Sequence, residues 1–248
     1  MKRLALGLSA VLLLAGCAGS GARSTDDKQA ARINTQLGSD YLRRGQADLA
    51  EEKLKRAIKQ DPDYAFAHVS LAYLYSQRGD LRDAERSYRR ALRLDPGNAV
   101  VKNNFAVFLC RHNPTPQQVA EAERMLVEAA QDPSYSTPEA AWTNAGVCLR
   151  STQPEKAERY FRAALEVQPE FSEALKHMAW LSYAKLDYLR TRAFLQRYQL
   201  KGPATPETLW LRARVEHVLG DSQASLQFLR RLKTEFPESE QAATPIQQ

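Results

Sequence analysis

Six prolines of this 248-residue chain, Pro62, Pro96, Pro133, Pro169, Pro203 and Pro237, are separated by 34, 37, 36, 34 and 34 residues. Proline has no backbone N–H to donate, and just past a helix it stops that helix from continuing. A stop recurring at this spacing predicts one helical unit repeated along the chain, each too small to bury its apolar side alone. Such units must stack on one another. The product is a solenoid, whose surface is suited to holding a partner rather than to cutting one.

The residues between the prolines repeat as well. The first unit reads Leu37-Gly38-x-x-Tyr41, then Ala50-x-x-x-Leu54, Ala57 and Pro62; the second reads Leu71-Ala72-x-x-Tyr75, Ala84-x-x-x-Tyr88, Ala91 and Pro96. The fourth adds a leading tryptophan, Trp142-x-x-Ala145-Gly146-x-x-Leu149, followed by Ala157-x-x-x-Phe161, Ala164 and Pro169. This pattern resembles the tetratricopeptide repeat. The resemblance implies an all-α, right-handed superhelical solenoid of about six helix-turn-helix units, at 31–64, 65–98, 99–138, 139–171, 172–205 and 206–239.

Each column has a mechanical reason. Gly or Ala lets the two helices of a unit approach closely, and large apolar residues one turn apart face a single seam. Arg44-Gly45, Arg78-Gly79-Asp80 and Gly220-Asp221 supply turns between paired helices. Asn113-Pro114-Thr115-Pro116 is expected to lengthen that turn in unit three, and Thr152-Gln153-Pro154 to shorten it in unit four. Units five and six depart from the pattern, with Thr191 and Ser225 in the alanine column and Arg212 where leucine is expected. Residues 240–248 read as a disordered tail.

Charged residues make up 26% of the chain and mean hydropathy is −0.51, which suits a superhelix with a large wetted surface. No sustained alternation of apolar and polar residues signals strands. The formal charge is +6, or +4 once Lys2 and Arg3 are removed with the leader described below, and its charges are interspersed. Nucleic-acid binding would need cations gathered on one face with aromatics between them. Here the arginine pairs Arg43-Arg44, Arg89-Arg90 and Arg230-Arg231 fall near predicted helix ends, where cations complement the dipole. No nucleic-acid partner is expected.

Met1-Lys2-Arg3 precedes an apolar run, Leu4 to Ala15, that is too short to span a bilayer, which takes about 20 residues. It fits a secretory signal. The run ends in Leu14-Ala15-Gly16-Cys17, which resembles a bacterial lipobox. That resemblance implies cleavage before Cys17, leaving residues 1–16 as the leader, and acylation of Cys17 on its sulfur and its new amine. The alternative is an ordinary signal peptide with an incidental cysteine. Several acyl chains on one residue give stable anchoring where one chain is marginal. Ala18, in place of aspartate, implies transport to the outer membrane in Gram-negative lipoproteins. Residues 17–30 then read as lipidated cysteine and flexible tether, with the array in the periplasm.

Cys110 and Cys148 lie 38 residues apart, about one repeat, near the ends of the first helices of units three and four. First helices of neighbouring units pack side by side, and the compartment is oxidising, so the two thiols can form a disulfide. The alternative is that they stay separate and behave as small buried hydrophobes. Cys110-x-His112 lacks a second ligand pair at a matching spacing, and no metal or other cofactor is expected. The four histidines, His68, His112, His177 and His217, sit in no hydrolase or metalloprotease motif, and no phosphate-binding glycine loop is present. No catalytic residue or small-molecule substrate is therefore assigned.

In superhelices of this kind the first helices line the concave face. The periodicity places Leu42, Phe66, Val69 and Tyr73 there in the first two units, Asn103, Val107, Thr143 and Val147 in the middle, and Trp180, Tyr183 and Trp210 further on. Each can instead be a packing residue between repeats, because groove and seam are one helical step apart. Some tetratricopeptide domains grip a C-terminal carboxylate with Lys and Asn on first helices; here the matching places in the first two units hold Thr35, Ser39, Val69 and Tyr73. That leaves an apolar, aromatic groove suited to an apolar peptide segment.

Lipobox cysteine, short tether, six repeats and one cysteine in each of units three and four together resemble the outer-membrane lipoproteins of type IV pilus biogenesis and stability, the pilotins of the pilus secretin. The resemblance covers essentially the whole chain. It implies a non-enzymatic protein that binds the secretin subunit, helps it reach the outer membrane and favours its multimer assembly, and that is monomeric before the partner binds. The competing expectation is a scaffold lipoprotein for outer-membrane barrel assembly or peptidoglycan synthesis.

Overall fold

The computed structural model describes residues 25–112 and 114–244. The leader, Cys17 and the tether up to residue 24 lie outside the described residues, as do Asn113 and residues 245–248. Twelve helices follow in antiparallel pairs: α1 (Thr25–Arg43) with α2 (Ala47–Gln60), α3 (Ala65–Arg78) with α4 (Leu81–Leu94), and α5 (Ala99–Arg111) with α6 (Pro116–Gln131). The second half repeats the scheme with α7 (Pro138–Leu149) and α8 (Pro154–Val167), α9 (Ser172–Ala184) and α10 (Tyr188–Gln199), α11 (Pro206–Val218) and α12 (Ser222–Glu235). A single turn, α13 (Glu240–Ala243), packs on α11 and α12. Each periodic proline stands just beyond an even-numbered helix.

The even helices are amphipathic. In α2, α4 and α8 the fully or nearly fully buried residues are only Ala50, Leu54 and Ala57; Ala84, Tyr88 and Ala91; and Ala157, Phe161 and Ala164. From α3 onward the odd helices are covered on two sides, by their own partner and by the preceding pair. Odd helices also touch the next odd helix from α1 to α9, whereas no even helix packs substantially on another even one. The odd helices therefore form the inner layer, on the tighter side of the curve.

The small column of the repeat is a steric necessity. A Cβ added to Gly38 would stand 2.6 Å from Leu54 Cγ, and one added to Gly146 would stand 2.4 Å from Phe161 Cε1. One residue earlier, Leu71, Phe105, Ala145, Met178 and Arg212 are at most 9% exposed because the preceding repeat covers them. In repeat one Leu37, in that same column, is 40% exposed, and Ile33 one turn before it is 51% exposed. No described element lies against that side of α1.

Several expectations need correction. Residues 25–30 are helical rather than tether, with Asp26 and Asp27 complementing the helix N-terminus. Residues 240–243 are likewise helical rather than disordered, because Ser239 Oγ caps the turn by accepting from Ala242 N at 3.2 Å. The four-residue connection from α5 to α6 is longer than the two- or three-residue turns of units one, two, five and six, as expected, but the one from α7 to α8 is equally long, so Thr152-Gln153-Pro154 does not shorten it. Further length in unit three lies in α6, which runs for 16 residues, and in the six-residue connection 132–137. Thr115 and Pro116 start α6: Thr115 Oγ1 accepts from Gln118 N at 3.2 Å, and Gln118 Oε1 accepts from Thr115 N at 2.9 Å.

The irregular residues of units five and six are accommodated one by one. Thr191 is fully buried and donates its hydroxyl to Asp187 O at 2.8 Å, while Ser225 donates to Ala213 O at 2.9 Å. Small polar residues thus replace alanine with their hydrogen bonds made, which is what burial demands. Arg212 donates from Nε to Glu216 Oε1 at 2.9 Å, so a charged pair occupies two columns that are apolar in repeat one.

Charges join the repeats as well as decorating them. Arg78 reaches Asp48 at 2.7 Å, Arg89 reaches Glu121 at 3.3 Å, and Lys156 pairs with Glu123. Glu158 receives Lys185 at 2.7 Å and Arg190 at 2.9 Å, and Arg192 pairs with Glu216, so every junction between consecutive repeats has such a bridge. The hydrogen bond from Lys185 is the main reason the Glu158 carboxyl is held below its usual range. Exposed bridges contribute about 0–1 kcal/mol each, so they set register more than stability.

Candidate partner-binding groove

The inner faces of α1, α3 and α5 enclose a depression of about 360 Å³ lined by Ser39, Leu42, Arg43, Val69, Ser70, Tyr73 and Asn104. Three of the four residues placed there by periodicity, Leu42, Val69 and Tyr73, come together. Val69, only 8% exposed, forms the floor, and Tyr73, 45% exposed, offers its ring to solvent. Leu42 is half-buried at the far wall.

Phe66 does not join them. It stands in the first turn of α3, where its ring meets Tyr64 at 5.8 Å and 55°.

The rim holds polar groups that the apolar periodicity did not single out. Ser39 and Ser70 hydroxyls meet at 3.2 Å across α1 and α3, and Asn104 donates its side-chain amide to Val100 O at 2.8 Å. Ser39 follows the small column by one residue, as do Tyr73, Val107, Val147, Trp180 and Arg214, whereas Ser70 and Asn104 stand two residues before it. Reading both columns whole, rather than their apolar members, would have found the polar rim.

Further along, Asn144 donates to Asn103 at 3.0 Å between α7 and α5, and Thr143 turns its hydroxyl back to Glu139 O at 2.8 Å. Val107 is half-buried and Val147 is 39% exposed. Trp180 and Trp210 stack at 6.3 Å, Tyr183 meets Trp180 edge-on at 6.1 Å, and the Arg214 guanidinium lies 4.7 Å from the Trp210 ring centre. These aromatics fill one another's faces and close the junction of α9 and α11. Of the inner aromatics, Tyr73 alone is exposed among the described residues.

Cys110 and Cys148 meet as a disulfide pair, their Cα atoms 5.3 Å apart. The bond ties the last turn of α5 to that of α7, beside the connection into α6. His112 follows, its Nε2 3.2 Å from Ser76 Oγ and its ring 5.3 Å from Phe108. No group of three or more potential metal ligands exists among the described residues. No described helix is long and apolar enough to cross a membrane.

Stacked helical hairpins with an open inner groove and an aromatic at its lip define a tetratricopeptide-repeat binding protein. The tetratricopeptide repeat model matches residues 35–99. The chain is 30% identical over 232 residues to the type IV pilus assembly protein PilF of Pseudomonas aeruginosa, covering 91% of this chain and 90% of that protein. It belongs to this family of type IV pilus biogenesis proteins. An uncharacterized protein of Haemophilus influenzae is 30% identical over 156 residues, covering 62% of this chain and 85% of that one. The fold agrees with the crystal structure of PilW, a type IV pilus biogenesis factor: TM-score 0.77, 29% identity, 87% of this chain and 97% of that one covered. The structure of Pseudomonas aeruginosa PilF matches with TM-score 0.76 and 29% identity, covering 88% and 97%.

Proposed function

We propose that this protein is an outer-membrane lipoprotein of the periplasmic face, anchored through acylated Cys17, that binds the pilus secretin subunit in the groove of α1, α3 and α5 and promotes its localisation and multimer assembly. The observation that carries the reading is the solvated Tyr73 ring over a Val69 floor in the repeats closest to Cys17. The eight residues from Cys17 to Ser24 span at most about 29 Å when fully extended, so an acylated Cys17 holds the groove near the bilayer. Partners captured there gain effective concentration without any further contact. The pilus role of the PilF relative over nearly the whole chain supports the same reading. A Cys110–Cys148 disulfide in the periplasm fixes the middle of the array; both thiols should be unreactive to labelling under denaturing, non-reducing conditions.

Deletion with complementation tests the function. Loss of secretin rings and of twitching motility is expected on deletion; intact rings would reject this role and favour the barrel or cell-wall scaffold. Tyr73→Glu should weaken capture of the secretin subunit by about 30-fold, as burying a charge at an aromatic hot spot does, with helicity unchanged. Unaltered capture would remove this groove from the account. Cys17→Ser should release the protein from the outer-membrane fraction, and continued residence there would refute lipid anchoring.

A further inference from the structure

The first repeat ends the array with an apolar face where a solenoid needs a polar one. The column of Leu37 is closed in every later repeat by the repeat before it. The column of Ile33 behaves alike: Ala67, Val101, Ala141, Ala174 and Thr208 are at most 5% exposed. Repeat one has no such cover among the described residues, and Ile33 and Leu37, one turn apart on α1, stay 51% and 40% exposed. Terminal repeats ordinarily carry a polar outer face for solubility. Here a position that is alanine in three other repeats is instead isoleucine.

Cations stand at the same level. Asn34 donates its side-chain amide to Gln60 Oε1 at 2.8 Å, which sets the last turn of α2 beside the turn of α1 that carries Ile33. An open depression of about 690 Å³ lies there, lined by Asp27, Lys55, Arg56, Lys59 and Gln60. Lys55 is matched by Glu51 at 2.7 Å, and Glu52, one turn before Arg56, is taken by Lys53 at 2.8 Å. Arg56 and Lys59 are exposed and make no ion pair among the described residues. Apolar side chains beside unmatched cations are the composition of a surface that lies in the headgroup layer of an anionic bilayer.

The position of this face along the chain selects its occupant. Residues 17–24 hold no large apolar side chain after the cysteine, so they cannot cover it. Those eight residues reach at most about 29 Å, and Ile33 lies about 12 Å further along α1. Two half-exposed side chains fall far short of the roughly 800 Å² per partner of a stable protein interface. A face tethered beside a bilayer escapes that requirement, because the tether keeps its effective concentration high.

We infer that the free end of repeat one docks on the anionic membrane surface, Ile33 and Leu37 entering the headgroup layer and Arg56 and Lys59 meeting lipid phosphates. The inference rests on the reading of Cys17 as the acyl anchor. Ser39 and Leu42 of α1 line the groove instead, so docking orients the array and leaves the groove open.

The test uses the full acylated chain on vesicles of phosphatidylcholine and phosphatidylglycerol, with brominated acyl chains as the fluorescence quencher. Ile33→Trp reports contact at this end, and Val218→Trp, at a position 50% exposed in the last repeat, is the reference. The wild-type chain supplies the background of Trp142, Trp180 and Trp210. Quenching of Ile33→Trp well above that of Val218→Trp is expected. Adding Arg56→Gln and Lys59→Gln should lower its ratio of docked to undocked protein about 30-fold, and omitting phosphatidylglycerol should also lower it. Tyr73→Glu should leave the quenching unchanged, which separates this face from the secretin groove. Equal quenching at the two positions, or quenching indifferent to both phosphatidylglycerol and the glutamine pair, would overturn the docking while flotation with the vesicles upheld the anchor. A wild-type chain that fails to float with the vesicles would overturn the anchor, and the docking with it.

Discussion

Replacing Gly146 with alanine sets two opposing effects against each other inside α7. In an open helix position the change stabilises by about 1 kcal/mol, because glycine loses more backbone freedom on folding. Here the new methyl would stand 2.4, 2.7 and 2.7 Å from three ring carbons of Phe161. Favourable carbon contacts lie near ~3.5–4.0 Å, so the ring would have to retreat by roughly 1 Å. It has no free side to retreat to: Phe161 is fully buried and stacks on His177 at 5.1 Å and 15°. Overpacking of this kind costs about 1–3 kcal/mol, which outweighs the propensity gain and leaves the variant about 1 kcal/mol less stable. Denaturant unfolding of wild type and variant measures the difference, and thermal unfolding should show a drop of about 2–4 °C. Phe161→Leu combined with Gly146→Ala should recover much of the loss, because contacting sites are not additive. A Gly146→Ala protein that is more stable than wild type, or strictly additive losses in the double variant, would refute the close-approach account of this column.

Leu186 adopts φ 61° in the turn before α10, the left-handed conformation that Gly45, Gly79 and Gly220 adopt in their turns, and its side chain is 70% exposed. That conformation costs a non-glycine residue about 1–2 kcal/mol, partly offset by the extra unfolded-state freedom of glycine. Leu186→Gly should therefore stabilise the chain by up to about 1 kcal/mol in denaturant unfolding; a loss would show that the leucine side chain contributes more than its exposure indicates. His177 is the sensitive point for pH. Burial, aided by Arg150 and Lys176, depresses its imidazole to about 4, and Arg150 lies 3.0 Å from Nδ1. The folded state holds the ring neutral while the unfolded chain protonates it near pH 6.5, so stability is full above that pH and declines as pH falls toward 4. The decline attributable to this group is about 3 kcal/mol. Comparing wild type with His177→Gln across that window isolates it from the carboxylates, and parallel curves would contradict the assignment.

Period and column composition made the fold legible before any coordinates. Prolines after each even helix, small residues where helices cross, and apolar residues at i, i+4 and i+7 are all local demands, and a repeat states each of them several times over. The inner-face positions followed from the same register, which is how Leu42, Val69 and Tyr73 came to share one depression. Phe66 has the same register but a neighbour, Tyr64, that periodicity does not include. Ser39 was read only as a clamp position lacking a cation, and Ser70 beside it was missed because the search followed apolar residues.

The chain by itself determined how many hairpins form, where each ends, and which face of each helix is apolar, since those follow from backbone geometry and side-chain spacing. Only the tertiary structure decided which inner residues remain open and which bury one another. Tyr73 stays solvated while Trp180 and Trp210 stack closed, and no spacing rule separates them. It also decided that Arg212, Glu216 and Arg192 meet at one junction, because α10 and α11 belong to different repeats. Exposure and charge pairing are properties of surfaces brought together from distant parts of the chain, so they appear only when the repeats are stacked.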